Sequence, residues 1–528
     1  MSTLLVNRTS KIVSTTILAT KRNISRQCIR GLSDGPVGEA THSSGLVNAY
    51  PQSRPFKDIP GPKGLPFIGT LLKHRIGKYR PENYHVAIAD HHREFGGIFK
   101  ETIAGSTVVH LSDPGDYRVV LRACMKDPRV PPFINAILEF RKKNGYTHGL
   151  GFSVGDEWRR LRHNSQKYWL NAKNCHAYFD RMSAIADQFV GYISKNIDAK
   201  GEVPNLYPMM KIWNLESSAI LAFDRSFGAF TDNPETSKID QLISSNQLMF
   251  DMGSRFPFML PLHDYFMTPM KKQLFRSEQI VYTIVKDLIE ETLRKIKDCK
   301  NDAESSDKYL WLKHCLSRSE LVKNDYNILT QNLLLDGLAG TAPQAANLIY
   351  RLAKSPDKQD KLFDEIKREV GPTENETRTS MSNMTYLKAC LKEAARLTNV
   401  GTEVSRILTE DVELSGFRVL AGTRVDLNHF VTCRMEEYFD RPNEFLPERW
   451  LRDVNNTNGI HPYAHAQFGA GTRMCPGRLF ARQDIELFAV KLLKKYRVEW
   501  HQPKNLKQDW KILFAPENNE VPITFEQR

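Results

Sequence analysis

Along most of this chain the apolar positions recur with the period of about 3.6 residues that marks an amphipathic helix, and strict alternation is confined to short stretches. Ile98-Phe99-Lys100-Glu101-Thr102-Ile103 and Thr107-Val108-Val109-His110-Leu111 alternate, and the Ala104-Gly105-Ser106 between them predicts a hairpin. Residues 237–250 and 270–297 predict two amphipathic helices flanking Phe256-Pro257-Phe258-Met259-Leu260-Pro261-Leu262. This apolar, proline-broken run reads either as core or as a segment dipping into a membrane interface. In the second reading Lys271, Lys272 and Arg276 form a basic rim for anionic lipid, so 256–276 is a candidate peripheral membrane contact. Glu403–Leu408, Asp411–Phe417 and Gly422–Val425 read as short strands with glycine turns. Near the start, Ile59-Pro60-Gly61-Pro62-Lys63-Gly64-Leu65-Pro66-Phe67-Ile68-Gly69 is a stiff, non-helical lead-in, because proline lacks an N–H and glycine relaxes φ.

Composition places these elements in one large unit. With 528 residues, 41% hydrophobic and 10% aromatic, the chain can bury a large core, and no low-complexity block or repeat divides it. Eight cysteines, at 28, 124, 175, 299, 315, 390, 433 and 475, show no C-x-x-C pair and no framework spacing, which fits a reducing compartment. The net charge of +13 is unevenly placed, so it does not argue for nucleic acid. Six of the positive charges (Arg8, Lys11, Lys21, Arg22, Arg26 and Arg30) fall within residues 1–33, which hold no Asp or Glu, leaving +7 for the rest. That Ser/Thr-rich, acid-free leader reads as a mitochondrial transit peptide, followed by a polar linker over 34–55 and a single catalytic domain over 56–528. No apolar run in the leader approaches the roughly 18–20 residues that a membrane span needs.

One stretch carries chemistry of its own. In Phe468-Gly469-Ala470-Gly471-Thr472-Arg473-Met474-Cys475-Pro476-Gly477-Arg478 a cysteine sits among glycines, ahead of an apolar-faced helix that opens at Leu479. Glycines allow close backbone approach to a flat cofactor, and backbone N–H groups and a helix N-terminus favour a thiolate. A lone cysteine is otherwise most often a small buried hydrophobe. The spacing Phe-x-x-Gly-x-Arg-x-Cys-x-Gly, matched without a gap by Phe468, Gly471, Arg473, Cys475 and Gly477, resembles the haem-binding signature of the cytochrome P450 family.

The resemblance implies a mainly α fold with a small β-rich lobe and haem b buried between long helices. It makes Cys475 the axial thiolate ligand of iron, places Phe468 and Arg473 against the haem, and gives Arg473 a propionate. Trp158 and Arg162, four apart on one predicted helix face, match two further propionate contacts, and Arg406 matches another. Glu393 and Arg396, one helical turn apart, resemble the family's E-x-x-R pair, buried against an arginine that matches Arg449; three such charges are tolerable in a core only if all are paired. The family's proline after that helix is replaced by Asn399-Val400-Gly401-Thr402. The form of residues 387–396 and the leader resemble the mitochondrial branch, with an invertebrate-like character. There Lys388 and Lys392 would receive an acidic, adrenodoxin-type ferredoxin fed by its NADPH reductase, and the protein would lie on the matrix side of the inner membrane as a peripheral protein.

The activity so implied is monooxygenation of an apolar small molecule (a sterol, secosteroid, fatty acid or xenobiotic) with O2 and ferredoxin-delivered electrons. A haem-thiolate isomerase or dehydratase needing no external electrons, and a noncatalytic haem or lipid carrier, are the alternatives. The distal helix departs from the family's small-Gly-x-acid-Thr pattern: Asp336-Gly337-Leu338-Ala339-Gly340 puts Ala339 at the acid and Gly340 at the threonine. Thr341 follows, rotated by about 100° on the helix, and Pro343 is expected to bend the helix and free the carbonyl of Ala339 for ordered water. Thr341 and Asp336 are therefore the candidate catalytic residues.

Overall fold

The computed structural model describes residues 53–132, 134–203, 206–298, 307–371, 374–451 and 459–528, which belong to one compact unit, Ser53–Arg528. The proposed leader, and the linker as far as residue 52, lie outside the described residues. The helices used below are α1 (Leu71–Arg75), α2 (Tyr84–Phe95), α3 (Gly155–Trp169), α4 (Phe179–Lys195), α5 (Leu206–Phe223), α6 (Thr236–Arg255), α7 (Pro269–Asp298), α8 (Lys323–Ala353), α9 (Thr385–Leu397) and α10 (Arg478–Lys495). Helix α4 shows the pattern expected of a half-buried helix: Phe179, Met182, Ile185, Ala186, Phe189, Val190 and Ile193 turn inward at helical spacing. By contrast α5 and α8 are buried on nearly every face, so together they form the centre of the main apolar core.

The small lobe is built on a four-stranded sheet, in the order β1 (Ile98–Ile103), β2 (Ser106–Leu111), β6 (Arg424–Leu427), β3 (Val404–Ile407). The hairpin predicted over 98–111 is present, Ile98 pairing with Leu111, and its turn uses left-handed backbone at Ala104 and Gly105. Strands β2 and β6 pair in parallel, and β6 pairs antiparallel with β3, so the sheet brings Ser405 and Arg406 beside the N-terminal hairpin. The separate β4 (Val412–Leu414) and β5 (Phe417–Val419) supply the other short strands read from sequence.

One expectation, the basic rim at Lys271, needs correcting. The helices predicted over 237–250 and 270–297 are α6 and α7, but the run between them is divided: Phe256 and Phe258 are buried, whereas Leu260, Leu262, Tyr265, Phe266 and Met267 are exposed. Lys271 does not join a basic rim; it is 3% exposed and its ammonium pairs with Glu139 at 2.5 Å, because the first turn of α7 faces inward onto the helix that carries Glu139. Helix α8 runs as one helix through Pro343, which lies inside it.

Candidate haem and substrate site

The loop from Phe468 to Gly477 and helix α8 face each other across a cavity of about 580 Å³. Backbone strain shapes the loop: Gly469 and Gly471 take φ of 76° and 72°, where a side chain is disfavoured, and a Cβ on Gly471 would stand 3.2 Å from Leu121. The N–H of Cys475 donates to the carbonyl of Phe468 at 2.8 Å and closes the loop, so the thiol opens on the cavity just before α10 begins. Burial pushes this thiol up. The N–H of Gly477 and the charges of Arg162 and Arg478 pull it back down, while Asp336 across the cavity raises it.

Four guanidinium groups reach the same cavity, and while Arg141 is paired with Glu278 at 2.7 Å, the other three are not paired with a carboxylate. Arg162, from α3, donates to the carbonyl of Met474 at 2.8 Å and to Gln166 Oε1 at 3.1 Å. Arg406, from β3, donates to the carbonyls of Ser405 and Ala470 at 2.7 and 2.8 Å. Arg473 donates to the carbonyls of Pro128, Leu150 and Ser153 at 2.8 to 2.9 Å, and its guanidinium lies 4.8 Å from the centre of the Trp158 ring. Among the described residues none of the three has a carboxylate within ion-pairing distance. Burial lowers the pKa of Arg406 to about 10 and that of Arg473 to about 9, the latter also repelled by Arg406 and Arg162. Converging buried cations without counter-anions are costly unless an anionic ligand completes them. With Cys475 and Phe468 on the same cavity wall, this donor set fits a haem: a thiolate for its iron and cations for its two carboxylates.

The opposite wall is α8. Asp336, Gly337, Gly340, Thr341 and Gln344 all line the cavity. Asp336 is exposed to the cavity, and the protein crowded around it lifts its carboxyl to about 6; Asn332 Nδ2 donates to it at 3.4 Å. Thr341 is buried at the same wall. A Cβ on Gly340 would meet nothing within 4 Å, so the position of the missing threonine is open space. Gly337 is required by close approach, since a Cβ there would come within 2.4 Å of Asn214 Oδ1 on α5.

Beneath the loop, Glu393 and Arg396 on α9 are both fully buried. Arg396 donates to both Glu393 oxygens at 2.9 and 2.7 Å and to the carbonyls of Cys433, Pro442 and Glu444. Arg449 Nε reaches Glu393 Oε1 at 3.1 Å, the contact that the family resemblance implies. Trp450 Nε1, which sequence reasoning did not assign, donates to Glu393 Oε2 at 2.8 Å. Lys388 and Lys392 lie on the outer side of α9: Lys388 Nζ donates to the carbonyl of Ser382 at 2.6 Å, and Lys392, its pKa lowered by burial, stands 5.7 Å from the centre of the Trp450 ring.

Besides Glu278, which pairs with Arg141, two further acids on the cavity escaped the sequence reading. Asp484 on α10 accepts from Ser217 Oγ at 2.8 Å and Asn214 Nδ2 at 3.4 Å, and burial lifts it to about 7. Glu403 lines the wall ahead of β3. Neither belongs to a local motif, so only the fold reveals them.

The comparisons with known proteins agree with this geometry. The family model described as cytochrome P450 matches residues 59–523. A probable cytochrome P450, CYP44, of Caenorhabditis elegans is 32% identical over 511 residues, covering 95% of this chain and 99% of the relative. Cytochrome P450 302a1, mitochondrial, of Drosophila melanogaster is 29% identical over 464 residues, covering 85% and 90%. The mitochondrial 1,25-dihydroxyvitamin D(3) 24-hydroxylase of Rattus norvegicus is 25% identical over 480 residues, covering 90% of each.

Proposed function

The chain belongs to the cytochrome P450 family, a family of haem-thiolate monooxygenases, and from that premise we propose that it is a mitochondrial member that hydroxylates an apolar small molecule with electrons from an adrenodoxin-type ferredoxin and its NADPH reductase. The observation that carries the reading is the pairing, on one cavity, of the Cys475 thiol with the guanidiniums of Arg162, Arg406 and Arg473, none of which has a carboxylate partner among the described residues. When bound, haem supplies the reductive activation of O2 and the insertion of one oxygen atom into a C–H bond. The protein holds it and keeps the pocket dry: Cys475 offers the thiolate, and Arg162, Arg406 and Arg473, the last set against Trp158, anchor the carboxylates. Phe468 walls the same cavity. Glu393, Arg396 and Arg449 fix the segment beneath the loop.

Proton supply falls to α8. With alanine and glycine at the usual acid and alcohol positions, Asp336 and Thr341 are the groups of that helix able to hold or pass a proton at the cavity. Asp336, near neutrality at about 6, can exist in either state. The carbonyl of Ala339, which Pro343 cannot serve as a donor, offers an acceptor for water in the same path.

Lys388 and Lys392, four apart on α9, form the landing site for the acidic ferredoxin. Residues 1–33 act as a transit peptide, consistent with relatives named mitochondrial. No described helix is long and apolar enough to cross a membrane. Attachment to the matrix face of the inner membrane is assigned to the exposed apolar residues of 260–267.

The same departure on α8 favours a second reading, a haem-thiolate isomerase or dehydratase that needs neither electrons nor oxygen protons. Product formation from a panel of sterols, secosteroids and fatty acids, with and without reductase and ferredoxin, separates the two. Turnover only with donors is the expected result; rearrangement without donors would establish the isomerase.

A further inference from the structure

Glu403 is a half-buried carboxyl on the cavity wall that no role above uses. It opens onto the cavity from the stretch ahead of β3, with Val400, Gly401 and Val404 beside it. The groups around it are Thr402, whose hydroxyl donates to it, the indole N–H of Trp510, and the Arg424–Asp426 pair on β6. Tyr84 on α2 interacts with Glu403, and His110 on β2 with Asp426. Arg424 is the only cation among them whose charge acts on Glu403, and both of its donating nitrogens are engaged by Asp426, at 3.0 and 2.8 Å. The wall thus holds two carboxyls and one guanidinium.

We propose that Glu403 is a substrate-recognition residue, and that the molecule taken into this cavity is an apolar compound bearing a hydrogen-bond donor, an alcohol or a protonated amine, that docks on the Glu403 carboxyl. Thr402 meets one oxygen of this carboxyl, and a ligand donor facing it from the cavity restores hydrogen bonding that burial removed, which a ligand without a donor cannot do. An ammonium would also complete the charge balance with Asp426 and Arg424. Burial, and next Asp426, hold Glu403 at about 8, so the two donor classes separate by pH. Ammonium binding strengthens as pH rises through that range and Glu403 ionises, whereas alcohol binding does not need the charge.

The inference rests on the monooxygenase reading only for what fills the cavity, and its test uses the resting ferric holoprotein without electron donors. Calorimetric titration with 1-dodecanol, N,N-dimethyldodecylamine and methyl dodecyl ether compares one chain with and without a donor. The alcohol or the ammonium should bind about tenfold or more tightly than the ether, and Glu403→Leu should reduce that advantage to none while the ether's affinity stays as it was. Should Glu403→Leu fail to load haem, Glu403→Gln keeps the shape and accepts a hydrogen bond but cannot ionise: it should retain an alcohol preference and lose an ammonium preference with its pH dependence. Equal affinity for all three probes in the parent, or an equal loss for all three in the variants, overturns the proposal. A failure of the ferredoxin-dependent turnover assay leaves these titrations unaffected.

Discussion

Cys475 and Thr341 face each other across the cavity with different demands on their side chains. A thiolate is needed at 475, since the loop offers Sγ one backbone N–H and two nearby cations and no second ligand. Cys475→His should give a haem protein without thiolate character, or no holoprotein, and the reduced carbon-monoxide spectrum decides; an unchanged thiolate-type spectrum would mean that another cysteine is the ligand. At 341 the hydroxyl matters more than the shape. Thr341→Val keeps the β-branch and removes the O–H, so peroxide released per electron consumed should rise while substrate affinity holds. Identical coupling in parent and variant would take Thr341 out of the proton path and leave Asp336 alone there. The loop around Cys475 was readable from sequence because all its constraints are local: two glycines at positive φ and a cysteine within eight residues of each other. Asp484 was not, because its partners Ser217 and Asn214 come from α5, more than 260 residues away. Glu403 was likewise hidden, since nothing in its neighbours along the chain tells that it opens on the cavity.

At the scale of elements, α9 carries the buried Glu393–Arg396 pair on one face and Lys388 and Lys392 on the adjoining one. Its inner face holds Glu393 and Arg396, whose donors and acceptors are all used: Glu393 accepts from Arg396, Arg449, Trp450 and the N–H of Leu446. Glu393→Ala would leave two guanidiniums and an indole N–H facing a void, and breaking such a buried pair costs about 3–5 kcal/mol. The expected outcome is a large drop in the urea midpoint and little haem-loaded protein, and near-parental stability would contradict the arrangement. On the outer face, neutralising Lys388 and Lys392 together to glutamine should weaken ferredoxin binding and flatten its salt dependence with haem content retained. Reduction kinetics that stay the same across ionic strengths would remove the landing site. The period of the apolar residues gave both edges of the hairpin at 98–111 and, to within a few residues, the ends of α6 and α7. It could not show that Lys271 turns inward, because the partner that makes this tolerable, Glu139, lies on a different helix. Nor could it supply Trp450, whose indole joins the Glu393 cluster only once the segment at 447–450 folds back on α9.

At the scale of the whole molecule, many of the exposed large apolar side chains of the described residues fall in two segments, 65–76 and 260–267. Phe258 packs on His74 of α1, with ring centres 5.1 Å apart, and joins Leu71 in one small core, so the segment at 260–267 lies beside the chain at 65–76. Each contributes large apolar side chains to solvent: Phe266 is 65% exposed and Met267 51%, while Phe67 is 69% and Ile76 77% exposed. Lys63, Lys73, Arg75 and Lys272 are exposed around them. An apolar patch of this kind with a basic margin suits the interfacial layer of an anionic bilayer, where the side chains bury shallowly and each basic residue adds about 1 kcal/mol. The sequence run 256–276 therefore named only half of the surface; the N-terminal half could not be paired with it before the fold was known. Flotation with vesicles of phosphatidylcholine and cardiolipin should carry the parent protein upward, and Phe67→Asp combined with Phe266→Asp should leave it behind at low salt, whereas Lys63 and Lys272 changed to glutamine should reduce flotation most on cardiolipin-rich vesicles and little on phosphatidylcholine alone. Both variants are confined to exposed positions, so unchanged melting temperatures should accompany the loss. Equal flotation of parent and Phe67→Asp/Phe266→Asp protein would place the membrane contact elsewhere on the molecule.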